Sequence, residues 1–99
     1  MPVFRTAHYE VKPEALEKCQ QANREFIEYI KANEPGTLRY TSLQQADTPT
    51  KFMNFMIFQD EATEETHRNS EGVKRFTDAL YPELISEVQL TGYSILTST

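Results

Sequence analysis

The chain has two imidazoles, His8 and His67, and one thiol, Cys19; these are its candidates for proton transfer or nucleophilic attack. His67 lies in "ETHRNSEGVKRF" (65–76), among charges and small polar groups. It is either an idle residue on a helix surface or a general base aimed at a pocket that the rest of the chain builds. His8 sits in an alternating segment, as a hydrogen-bonded interior histidine or as a second acid or base. Metal ligands are scarce. Glu64 and His67 form a Glu-x-x-His pair, but di-iron sites in helical bundles need two such pairs and two further glutamates, and one thiol is far short of a zinc site. Cys19 falls within an apolar helical stripe, which suits a small core residue better than a nucleophile. With no Gly-rich phosphate loop and no paired cysteines, neither a metal nor an organic cofactor is expected.

The elements that must position these side chains follow from periodicity. "VFRTAHYEV" (3–11) alternates, with Val3, Ala7, Tyr9 and Val11 on one face and Phe4, Thr6, His8 and Glu10 on the other, a strand pattern. Pro13 opens a helix with Glu14 and Glu17 at the positive end of its dipole and Leu16, Cys19, Ala22, Phe26, Ile27 and Ile30 along one stripe. Asn23 interrupts that stripe and is expected at its edge. The helix stops at "NEPG" (33–36). "TLRYTSLQQ" (37–45) and "KFMNFMIFQ" (51–59), joined by the turn-rich "ADTPT", read as a hairpin. Asp60 caps a short helix through about Asn69. Ser70 caps a second, with Val73, Phe76, Thr77 and Leu80 on one face, and Pro82 closes it. "VQLTGYSIL" (88–96) alternates again as a last strand. The order predicts an α+β, ferredoxin-like βαββαβ fold with a four-stranded antiparallel sheet, one domain over residues 1–99, the first and third strands central.

The third strand is apolar on both faces: Phe52, Met56 and Phe58 point one way, Met53, Phe55 and Ile57 the other. Helices can cover only one of them, and leaving large side chains in water on the other forgoes roughly 1.5–3 kcal/mol each. A homodimer through the open face of the sheet is therefore expected. A net charge of -5, with acidic residues spread along the chain, offers no basic patch to phosphates, so nucleic acid and anionic membranes are not expected partners. The longest apolar stretch is about a third of the ~20 residues a membrane span needs, no signal-peptide core is present, and a lone thiol fits a reducing compartment. A cytoplasmic location is expected.

The stretch "EPGTLRYTSLQQADTPTKFMNFMIFQDEATEETHRNSEGVKRF" resembles the centre of an antibiotic biosynthesis monooxygenase domain, of the dimeric α+β barrel type. The likeness rests on the "EPG" turn before "LRY", the strand ending just before a capped helix, the histidine of that helix, and the "HxxSxxxxxF" spacing from His67 through Ser70 to Phe76. It extends over nearly the whole chain. It implies a homodimer whose sheets face each other as a barrel, each monomer keeping a pocket between its sheet and its shorter helices. Some such proteins are cofactor-free monooxygenases that oxidise quinols or polycyclic phenols with dioxygen; others degrade haem, or isomerise or process small signalling molecules. The family commonly has a Glu and a Trp two residues apart where Met56 and Phe58 stand here. The haem-degrading branch has a Trp in the place of His67 and a ligating His at the place of Thr77; this chain has no Trp, so haem degradation is disfavoured.

On this resemblance His67 or His8 is the base that takes a proton from a phenolic hydroxyl, an imidazole ordinarily titrating near 6.5. Tyr40, Phe58, Tyr93 and Met56 shape the pocket. Tyr93 is opposite in parity to Val88, Leu90 and Leu96 and is expected to point into the barrel; of Arg39 and Tyr40 only one can share that side. The expected function is cofactor-independent monooxygenation of a quinol-like or phenolic aromatic. The alternatives are a non-catalytic dimeric module that binds a small molecule or only assembles, and an isomerase or processing enzyme for a small metabolite. Convergence of both histidines on one cavity favours an enzyme, and a pocket packed shut by Met53, Met56 and Phe58 favours the module. Since the short helix has only Ala62 as an apolar anchor, His67→Ala is expected to cost less than about 1 kcal/mol.

Overall fold

The computed structural model describes all 99 residues. Strand β1 (Val3–Glu10) leads through a 3₁₀ turn at Pro13–Ala15 into helix α1 (Leu16–Asn33). Strands β2 (Thr37–Gln44) and β3 (Lys51–Phe58) form the hairpin, and α2 (Glu61–Arg68), α3 (Glu71–Leu80) and β4 (Gln89–Tyr93) follow. The sheet order is β2-β3-β1-β4, every pair antiparallel, so β1 and β3 are central as their sequences predict. No helix is long and apolar enough to cross a membrane.

The caps form as read: Asp60 accepts from the Thr63 backbone N–H and Ser70 from that of Val73, each satisfying an otherwise orphaned donor of a helix start. On the side that the helices cover, Tyr9 of β1, Val11 just after it and Phe52 of β3 are buried against Cys19, Ala22, Phe26, Phe76 and Leu80, while Val3 and Ala7 of β1 form a second buried cluster with Met56 and Phe58 of β3. Met53, Phe55 and Ile57 lie on the other face, half-buried. Cys19 is a core residue with no exposure.

Two expectations change. Asn23 is buried rather than at the edge of the α1 stripe, because polar groups from β1 and β3 meet it there. The last strand ends at Tyr93 instead of running to Leu96. Its ladder follows β1 back to the pair Phe4↔Tyr93, where β1 itself is about to end at Val3, so residues beyond Tyr93 have no neighbour to pair with.

Candidate active site

Helix α2 is polar apart from Ala62, and specific contacts hold it against the sheet and the end of α1. Its two buried residues are Glu64 and His67. The "EPG" turn brings the end of α1 against it: a Cβ on Gly36 would lie 2.6 Å from Thr63 Cγ2, so only glycine permits this approach. Thr63 and His67 are one turn apart on the same helix face. That contact therefore also brings Glu34 to His67, whose Nδ1 lies 2.8 Å from Glu34 Oε1. Both side chains are over nine-tenths buried.

A carboxylate only accepts, so Nδ1 carries the proton and, in the neutral ring, Nε2 holds the free lone pair. Nε2 has no partner in the protein and stays accessible. Glu34 Oε1 also accepts from Thr37 Oγ1 at 2.7 Å, which fixes the carboxylate that orients the ring. The imidazole packs on Phe58, Phe26 and Tyr40, with centroids 5.0, 5.5 and 5.7 Å away. His67 is thus buried and hydrogen-bonded rather than on the surface, and the expectation that alanine there would be nearly free of cost does not stand.

His67 opens onto a cavity of about 440 Å³ between the sheet and the helices, a volume typical of small-molecule sites. Tyr9, Tyr40, Asn54, Met56 and Phe58 line it from the sheet, and Phe26, Val73, Phe76 and Leu80 from the helices. Met56 and Phe58 form wall without closing it, and Met53 lies on the opposite face. Of Arg39 and Tyr40, Tyr40 is the one on this side; a register irregularity between Thr37 and Arg39 accompanies the start of β2.

A buried polar cluster backs the cavity. Asn54 Oδ1 accepts from Tyr9 Oη at 3.1 Å and Ser42 Oγ at 2.8 Å, while Nδ2 donates to Asn23 Oδ1 at 3.1 Å and Tyr40 Oη at 3.0 Å. Asn23 Nδ2 donates in turn to Tyr9 Oη and to the Cys19 carbonyl, both at 3.0 Å. Asn54 has thus used its full capacity of two donors and two accepted bonds. Tyr40 Oη accepts from Asn54 while its own proton has no acceptor in the protein, so it presents a free O–H. Burial raises the Tyr40 phenol well above its ordinary range and pushes Tyr9 up to about 12, which keeps both hydroxyls protonated near neutrality.

The two histidines do not converge. His8 pairs with Met53 and Gln89 on the open face and is exposed, and Tyr93, opposite Phe4, shares that face. The alternation of β1 separates His8 from Ala7 and Tyr9, and the cavity lies on their side. Glu64 and His67 have separate partners as well: Arg5 binds the former and Glu34 the latter. Glu34 had no local signal, since its partner is 33 residues away.

A family model for antibiotic biosynthesis monooxygenase matches residues 2–79. No curated protein matches the chain. Among solved structures it is similar to two candidate antibiotic biosynthesis monooxygenases. One, from Bacteroides thetaiotaomicron, has a TM-score of 0.90 at 22% identity, covering 97% of this chain and 90% of that one. The other, from Nitrosomonas europaea, has a TM-score of 0.88 at 23% identity, covering 98% and 100%. Rv0793 from Mycobacterium tuberculosis has a TM-score of 0.88 at 19% identity, covering 99% and 98%. At these identities the structural likeness speaks for the fold alone.

Proposed function

The chain belongs to the antibiotic biosynthesis monooxygenase family, and from that premise we propose that it is a cofactor-independent monooxygenase oxidising a quinol-like or phenolic aromatic with dioxygen. One observation carries the reading: His67, oriented by Glu34, offers a free Nε2 to an aromatic-walled cavity in which Tyr40 offers a free O–H. Nε2 takes the phenolic proton, and the imidazolium that forms is stabilised by the Glu34 carboxylate. The electron-rich phenolate then reduces dioxygen, forming a carbon–oxygen bond at the ring, and the His67 imidazolium returns its proton to the peroxide oxygen. Loss of water from the resulting hydroperoxide leaves a quinone carbonyl. One oxygen atom of dioxygen ends in the product and the other in water, and the substrate supplies the electrons. The Tyr40 hydroxyl serves as hydrogen-bond donor to the substrate oxyanion. Neither flavin nor metal enters this scheme, and the purified protein is expected to be colourless.

The working form we propose is a homodimer closed over the open face of the sheet. Met53, Phe55 and Ile57 are only half-buried there, Leu43 and Tyr93 are largely exposed, and Thr6 Oγ1 is buried without a hydrogen-bond partner. A second copy would cover this surface.

The test is oxygen uptake with hydroquinone, corrected for autoxidation, by the wild type and by His67→Gln, which keeps a polar side chain beside Glu34. A fall of roughly 100-fold or more is expected, the size typical of losing a general base. Equal rates in the two proteins would overturn the reading.

A further inference from the structure

Arg5 lies on the cavity side of β1, next to the residue that pairs with Tyr93 in the β1–β4 ladder. Its Nε donates to Glu64 Oε2 at 2.9 Å, Nη2 to Glu64 Oε1 at 3.3 Å, and Nη1 to the Phe4 carbonyl at 3.2 Å. A guanidinium has five N–H donors in a fixed plane; three are engaged, and one on each terminal nitrogen is left free. Arg68, one turn further along α2, comes within 3.7 Å of the same carboxylate, and both arginines line the cavity. Two guanidinium groups share one carboxylate, so this end of a mainly apolar cavity has one net positive charge, in a chain whose overall charge is -5.

The site is built into the sheet. Gly92 faces Arg5 across the β1–β4 ladder, and a Cβ there would stand 2.7 Å from Arg5 Nη1. Glycine in the interior of a strand weakens it and often marks the close approach of another group; here that group is the Arg5 guanidinium. Glu64 fixes its other side. Glu64 is also one turn, about 5 Å, from His67 on α2, so the positive charge and the base occupy neighbouring stations along one wall.

We infer that Arg5, held by Gly92 and Glu64 and assisted by Arg68, binds a carboxylate on the substrate, so that the ligand is an aromatic acid whose phenolic hydroxyl is directed toward His67. One net positive charge matches a monoanion, and a planar fork with a free N–H on each terminal nitrogen suits a carboxylate. This specificity rests on the cavity being the substrate site proposed above.

The experiment measures binding by calorimetry in the absence of dioxygen, comparing 2,5-dihydroxybenzoate with hydroquinone, which differ in the carboxylate. The wild type should bind the acid roughly tenfold or more tightly, as expected for a charge-assisted contact, and the preference should shrink at high salt. Arg5→Gln should bring the two affinities to within about twofold of each other, and Arg5→Lys should retain part of the preference. Should Arg5→Gln fail to fold, Arg68→Gln, changed at a largely exposed position, should reduce the preference at least threefold. Equal affinities in the wild type, or an undiminished preference in the folded variants, overturns the inference. Because binding is read without turnover, the two readings fail separately. An Arg5-dependent preference without oxygen uptake leaves the carboxylate site and removes the oxidation; His67-dependent uptake without a preference does the reverse.

Discussion

Replacing His67 by alanine removes the hydrogen-bond partner of a buried carboxylate and the ring that fills the space between α2 and three aromatic side chains. Glu34 keeps only Thr37 as a side-chain partner, at 2.7 Å, and its Oε2 has no partner in the protein; a buried charged group deprived of its main contact costs about 2 kcal/mol. Losing the imidazole from its contacts with Phe26, Tyr40 and Phe58 adds roughly 1–2 kcal/mol of packing. The sum is about 3–4 kcal/mol, against a total of about 5–15 for a domain of this size. It corresponds to a melting temperature lower by roughly 12–30 °C. Urea unfolding followed by circular dichroism at fixed protein concentration measures it directly. Adding Glu34→Ala removes the stranded carboxylate, so the double variant should be more stable than the sum of the single losses implies, by at least about 1 kcal/mol. A loss below about 1 kcal/mol for His67→Ala, or strictly additive losses, would refute the buried pair as the anchor of α2.

Tyr40→Phe removes the free hydroxyl while keeping the ring, and should lower hydroquinone-dependent oxygen uptake by roughly 100-fold; an unchanged rate would remove Tyr40 as oxyanion donor. Spectrophotometric titration of the five tyrosines should show Tyr9 and Tyr40 ionising last. Because burial raises both in the folded state, the stability they contribute is complete below the unfolded value near 10 and is lost as pH rises through about 12 for Tyr9; urea midpoints that do not fall between pH 10 and 12 would contradict this. Light scattering at micromolar concentration should give about twice the chain mass of 11.5 kDa, and a stable monomer would remove the proposed closure of the open face.

Element order, caps and the two faces of β1 and β3 were legible in the sequence because each depends on neighbours within a few residues: a period of two or 3.6, a proline that cannot continue a helix, a side chain that reaches the third amide after it. Parity even separated His8 and Tyr93 from Tyr9 and Ala7. The chemistry was not local in the same way. Whether His67 is a surface residue or a buried one depends on Glu34, 33 positions earlier, and on a glycine whose missing Cβ admits α2 to the turn. Asn23 looked like an imperfection in an apolar stripe until Tyr9 and Asn54 supplied its partners from two strands. Gly92 and Arg5 are unremarkable apart and become a site only when β4 pairs with β1. Apolar burial is non-directional and leaves a repeating trace along the chain, whereas a buried polar group is satisfied by one partner at one distance, and the tertiary fold alone chooses that partner.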